Sequence, residues 1–148
     1  MIYFDTSYIA KCYLNEPQTD KVRQLAMQAE GLACSYLGRV EFWSVLNRHI
    51  RDTRLTRQQA RQIRNLFCRD ESNRVWTWYP VTNEILTRTC WYLEHLPGPL
   101  NIRSADAIHM VSAKENGFAD IFTNDSRILN CASYFGLLGK NVLPGGAD

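Results

Sequence analysis

The sequence predicts an α/β fold in which helices cover both faces of a central, mostly parallel sheet, and three observations carry that prediction. Short apolar, β-prone runs occur at residues 1–4, 32–35, 75–79 and 119–124. Stretches with helical periodicity separate them, and alternating strands and helices are the pattern of a parallel sheet buried on both sides. Acidic residues also stand where strands end, at Asp5 and Asp125, the edge at which ligands gather in open α/β sheets.

Taken in order, residues 1–4 form a first strand that stops at Asp5-Thr6-Ser7, where a helix begins and runs to about Tyr13 or Leu14. Asp5 sits at this strand-to-helix switch, and an N-cap is its simplest local role. A second helix over 18–29 ends before Gly31, and residues 32–35 read as a second buried strand. The next helix, 36–51, carries Glu41 with Leu37 and Val45 four residues to either side. Glu41 lies too deep in that helix to cap it, which leaves an ion pair with Arg48 or Arg39 as the structural alternative.

Thr56 with Gln59 makes a capping box for a helix reaching about Cys68, with Ile63, Leu66 and Phe67 as its buried side. Residues 75–79 alternate as a strand before Pro80, and Thr82 starts a helix to about His95. After the Pro97-Gly98-Pro99 loop comes a helix with Ser104 as its expected cap. On it, Asp106 shares a face with Ile102 and Met110, so its charge must be exposed, paired or metal-bound. Residues 119–124 are a short buried strand ending at Asp125, itself a good N-cap for a helix over 126–134. Gly136 stops that helix, and 141–143 are expected as a last strand.

Composition narrows the class. The 148 residues fit one domain, 1–148, with a sizeable core, and no linker or repeat divides them. Five cysteines without a C-x-x-C pair, and no signal-peptide pattern, argue for reduced thiols in a cytoplasm and against a disulfide framework or a zinc site. No apolar run approaches the roughly 18 to 20 residues of a membrane span, so no membrane role is expected. Net charge is only +2, yet eight arginines fall between Arg48 and Arg74 against Asp52, Asp70 and Glu71. Arg57, Arg61 and Arg64 form a stripe there, read either as a solvated face or as a contact for a nucleic-acid phosphate backbone.

Asp5 and Asp125 end strands on the same side of a parallel sheet, and Glu41 and Asp106 can join them from helix starts. Four carboxylates with no zinc-type Cys or His set describe a hard-cation site suited to Mg²⁺ or Mn²⁺, which activates water for attack at phosphorus. His109, one turn after Asp106, is expected to pack behind such a site rather than to act as a base.

The runs Ile2-Tyr3-Phe4-Asp5-Thr6-Ser7, Arg39-Val40-Glu41-Phe42, Arg103-Ser104-Ala105-Asp106-Ala107-Ile108-His109 and Phe122-Thr123-Asn124-Asp125 resemble the PIN-domain family of metal-dependent ribonucleases, in particular its VapC-type toxins. The likeness covers nearly the whole chain. It implies a three-layer α/β/α fold, Mg²⁺ or Mn²⁺ in an acidic pocket, and endonucleolytic cleavage of RNA. Asp5, Glu41, Asp106 and Asp125 match the family's acidic quartet, Thr123 matches a hydroxyl beside it, and either Thr6 or Ser7 approaches the metal. The resemblance further implies a homodimer and a small antitoxin partner.

Three other readings compete with this one. A phosphotransferase of the haloacid-dehalogenase type needs a second Asp where Ser7 stands, and a phospho-accepting receiver domain needs an acceptor Asp ending a middle strand. A catalytically idle PIN-like protein- or RNA-binding module would keep the fold and use the arginine stripe or the Trp76/Trp78 strand. Trp43, Phe67, Trp76, Trp78, Trp91 and Tyr92 are more large side chains than one small core is expected to enclose, so an exposed apolar patch is anticipated.

Overall fold

A computed structural model describes residues 1–143. Residues 144–148, the end of the expected domain, lie outside the described residues. Strand β1 (Ile2–Tyr3) leads into α1 (Thr6–Tyr13) and α2 (Thr19–Gln28), followed by β2 (Leu32–Ser35), α3 (Tyr36–Arg51) and α4 (Arg57–Ser72). The chain continues with β3 (Trp76–Tyr79), α5 (Asn83–Glu94), α6 (Ser104–Glu115), β4 (Asp120–Phe122), α7 (Ser126–Cys131) and β5 (Leu138–Lys140).

All pairings are parallel. β2 lies between β1 and β3, with Ile2 opposite Leu32 and Leu32 opposite Trp76. β4 pairs with β5, and a single parallel bridge between Phe4 and Phe122 joins the two ladders. The resulting order, β3-β2-β1-β4-β5, puts β1 and β4 side by side at the centre, so the residues that leave their C-terminal ends emerge together. Helices cover both faces in three layers. The core between them is made of strand residues such as Tyr3, Phe4, Ala33 and Ile121 and helix residues such as Ile9, Phe42, Met110 and Val111, all fully buried.

Several boundaries depart from the sequence expectation. The last strand is Leu138–Lys140, not 141–143, because Gly139 packs against Leu129 and Ala132 so closely that a Cβ there would meet their atoms at 3.2 Å. Asn141 and Val142 instead cap the sheet edge by bonding the Tyr8 hydroxyl. α7 ends at Cys131, short of Tyr134. α4 continues past Cys68 to Ser72, since Asp70 accepts from the Tyr13 hydroxyl and Glu71 from Arg39, which ties its last turn to α1 and α3. Leu66 is 36% exposed, so the buried side of α4 is Ala60, Ile63 and Phe67. Ser104 is the first residue of α6 rather than its cap; Arg103 holds the N-cap position and makes no capping bond. The expected aromatic patch shrinks as well: Phe67 and Trp76 are buried, Trp43, Trp78 and Tyr92 pack against the core, and Trp91 alone of the six is fully outside it, at 50% exposure. Among the described residues no helix is long and apolar enough to cross a membrane.

Candidate active site

Asp5 follows directly on the Phe4 bridge and caps α1. Its Oδ1 accepts the Tyr8 N–H at 3.0 Å and the Ser7 hydroxyl at 2.6 Å, and its Oδ2 accepts the Thr123 hydroxyl at 2.6 Å. The side chain is buried, and burial pushes its pKa up despite the partly compensating bonds from Ser7 and Thr123. Thr123, just beyond β4, uses the same oxygen to accept the Asp125 N–H at 2.8 Å, and Asp125 in turn caps α7 by accepting the Arg127 N–H at 2.7 Å. The capping roles read from the sequence for Asp5 and Asp125 are therefore real. They also aim both carboxylates off the sheet edge into one space.

Glu41 reaches that space from the second turn of α3. It pairs with neither Arg39, which forks onto Glu71 at 2.6 and 3.2 Å, nor Arg48. Its carboxylate instead accepts from the Thr6 hydroxyl and stands 2.9 Å from Nε2 of His109, on α6. Burial works against an ionised Glu41, but the His109 and Thr6 contacts outweigh it and hold the pKa below the usual value. Burial likewise opposes a charged His109, while contacts with Cys34 and the Glu41 carboxylate lift its pKa well above the ordinary histidine range. The ring fits because residue 38 is glycine: a Cβ there would collide with Cys34 and lie 3.1 Å from Cε1 of His109. Ser7 thus serves Asp5, and Thr6 serves Glu41.

Asp106 projects from the first turn of α6. Its pKa is raised, first by burial and then by repulsion from Asp125. Arg103 Nε approaches its Oδ2 at 3.5 Å, an ion pair without a hydrogen bond, so this buried oxygen has no hydrogen-bond partner. The same guanidinium reaches Asp125 Oδ2 at 3.4 Å.

All four acids line one cavity of about 390 Å³, together with Thr6, Ser7, His109 and the cationic Lys11, Arg48 and Arg103. Thr123 backs it without lining it. Arg57, Arg61 and Arg64 lie elsewhere, along a separate groove between α3 and α4 beside Trp43 and Asn65. The cationic contact with the acids comes from Arg103, which the sequence expectation did not include. Arg103 stands three residues before Asp106, the spacing of helical neighbours, and that was the available signal.

The cavity suits a hard divalent cation in its chemistry: four carboxylates and the Thr6 and Ser7 hydroxyls line it, Asp106 is repelled by Asp125, and one buried carboxylate oxygen lacks a hydrogen bond. As placed, though, no three Asp, Glu, His or Cys side chains among the described residues are gathered to hold a metal. Their oxygens are engaged by Ser7, Thr123, Thr6, His109 and Arg103 instead.

Comparison with known proteins follows the same lines. A family model described as the PIN domain matches residues 2–133. The chain is 30% identical over 136 residues to Ribonuclease VapC47 of Mycobacterium tuberculosis (strain CDC 1551 / Oshkosh), covering 88% of each chain. Among solved structures it is similar to FitAcB from Neisseria gonorrhoeae, with a TM-score of 0.64 at 17% identity over 95% of this chain and 97% of that one. VapC20 of Mycobacterium tuberculosis, described as a sarcin-ricin loop cleaving toxin, matches with a TM-score of 0.63 at 17% identity, over 82% of this chain and 87% of that one. VapBC2 from Rickettsia felis, bound to a DNA fragment from its promoter, gives a TM-score of 0.63 at 16% identity over 95% of this chain and 98% of that one.

Proposed function

The chain belongs to the PIN-domain family, and on that premise we propose that it is a Mg²⁺- or Mn²⁺-dependent endoribonuclease, the toxin of a toxin–antitoxin pair working in the cytoplasm. The observation that carries this reading is the convergence of Asp5, Glu41, Asp106 and Asp125, from four different elements, on one cavity at the C-terminal edge of the sheet. The likeness to a protein named as a ribonuclease supports the reaction class, and the likeness to VapC20 and VapBC2 supports an antitoxin partner.

Asp5, Glu41, Asp106 and Asp125 would hold the cation, which supplies an acidified water and stabilises charge developing at the scissile phosphodiester. The chain's own groups prepare the carboxylates for that task. Ser7 and Thr123 fix the two oxygens of Asp5, and Thr123 links Asp5 to the backbone of Asp125, so the two strand-end acids are set relative to each other. His109 and Thr6 keep Glu41 ionised and oriented. His109 is 1% exposed and backs Glu41 rather than facing the cavity centre, a position for tuning rather than for abstracting a proton from RNA.

Arg57, Arg61 and Arg64 hold phosphates away from the cut in this reading; none is engaged in an ion pair among the described residues. Replacing all three by Gln should flatten the dependence of RNA binding on salt, by about 0.7 in slope per lost phosphate contact. An unchanged slope would return the stripe to a solvated face. A homodimer belongs to the same proposal, supported by Leu86 and Trp91, exposed on α5. The activity itself is tested by incubating the purified chain with a mixed RNA pool: cleavage should appear with Mg²⁺ or Mn²⁺ and stop with EDTA. Binding without cleavage under every metal condition would identify an idle module.

A further inference from the structure

We infer that Arg103 is an exchangeable counter-ion: it pairs with Asp106 and Asp125 while the pocket lacks a cation, releases them when the cation arrives, and then holds a backbone phosphate of the RNA. This rests on the nuclease reading for its last step only.

Three observations carry it. Arg103 is the one arginine or lysine among the described residues that contacts the quartet; Lys11 is committed to Glu16 at 3.2 Å, and Arg48 lines the cavity without touching an acid. Its two contacts are long, at 3.5 and 3.4 Å, against the roughly 2.7–2.9 Å of a strong charge-assisted bond. The side chain is 62% exposed and makes no capping bond, so nothing else holds it over the acids. A weak, exposed pairing of this kind relieves the repulsion between Asp106 and Asp125 at little cost to a stronger competitor.

A divalent cation that uses both carboxylates has to displace the guanidinium, because Arg103 takes the Asp106 oxygen that lacks a hydrogen bond and the Asp125 oxygen not used in capping α7. Once displaced, it remains anchored at the N-cap of α6, on the cavity wall. Its planar fork matches two oxygens of one phosphate, and the position lies on the wall of the acid-lined cavity rather than in the groove of the α4 stripe.

Arg103→Gln separates this from a merely structural role because the two ligands should respond in opposite directions. With Mn²⁺ alone and no RNA, calorimetry or electron paramagnetic resonance should show binding tightened roughly 3- to 10-fold, the equivalent of two weak exposed ion pairs removed. With RNA, KM should rise on the order of 10-fold while kcat changes less. Arg103→Lys keeps the charge but not the fork, so Mn²⁺ affinity should stay near wild type while KM rises. Unchanged or weakened Mn²⁺ binding by a folded Arg103→Gln protein overturns the inference even if the wild type cleaves RNA. Tightened Mn²⁺ binding with an unaltered KM overturns the phosphate step. A wild type that cleaves no RNA, with Mn²⁺ binding still tightened in the variant, overturns the nuclease reading and leaves the counter-ion exchange standing.

Discussion

Asp5→Asn is expected to lower RNA cleavage by about 10³-fold or more, because it removes a charge from the proposed cation site, where a bound metal would contribute several kcal/mol as a Lewis acid. The fold should survive the change. Asparagine caps helices as well as aspartate does, so the bonds from the Tyr8 N–H and the Ser7 hydroxyl are kept by the remaining carbonyl oxygen. The new amide then faces the Thr123 hydroxyl, which has a free lone pair to receive it after accepting the Asp125 N–H.

The same substitution should stabilise the metal-free protein at neutral pH, and the sign follows from the raised pKa of Asp5. A carboxyl whose pKa is higher folded than unfolded binds its proton more tightly in the native state. Its contribution to stability is full below the unfolded value and is lost as pH rises through the folded one. The wild type therefore carries a penalty above the folded pKa that Asp5→Asn lacks, and the variant's Tm should depend less on pH between the unfolded and folded values. Circular dichroism melts in EDTA, beside cleavage assays in Mn²⁺, read both effects. A variant that melts well below wild type in EDTA, or one that still cleaves at full rate, would show that capping α1 is the main task of Asp5.

The acids were readable from sequence because a carboxylate on an apolar face, or after a buried strand, lacks an ordinary place. Glu41 shows the limit: its depth in α3 marked it as unusual, but its partners, Thr6 and His109, come from residues 35 positions before and 68 after it. Only the packing of α1, α3 and α6 makes them neighbours. Helix starts were legible where a side chain writes them locally, as in the Thr56/Gln59 capping box, which is present as expected. Helix α6 begins without such a bond, and Ser104 was misassigned for that reason. Strand β5 was missed because Leu138-Gly139-Lys140 has too little β character of its own. Its identity comes from pairing with β4 and from the close approach of α7, which requires the glycine.

Phe67→Ala is expected to cost about 3–5 kcal/mol of stability. Phe67 was legible as a buried position of α4, but its weight in the fold comes from what surrounds it. The ring is fully buried and stacks on Phe42 at 4.3 Å, with the edges of Tyr13 and Trp43 at 5.2 and 5.3 Å. These rings belong to α1 and α3, so Phe67 is the apolar tie between α4 and the helices that present Asp5 and Glu41. Aromatic pairing adds to the area that burial removes from water, and the flanking rings are too large and too fixed to collapse into the gap. The Tyr13 hydroxyl is itself held between Trp76 Nε1 at 2.7 Å and Asp70 at 2.9 Å, which restrains that wall of the cavity further. A loss of this size should lower Tm on the order of 10 °C for a chain of this length. Urea unfolding at fixed pH measures it, and Phe67→Leu should recover part of the loss by refilling the volume. A cost below about 1 kcal/mol for Phe67→Ala would mean that the cluster closes over the deletion and that α4 is held instead by its polar ties through Asp70 and Glu71.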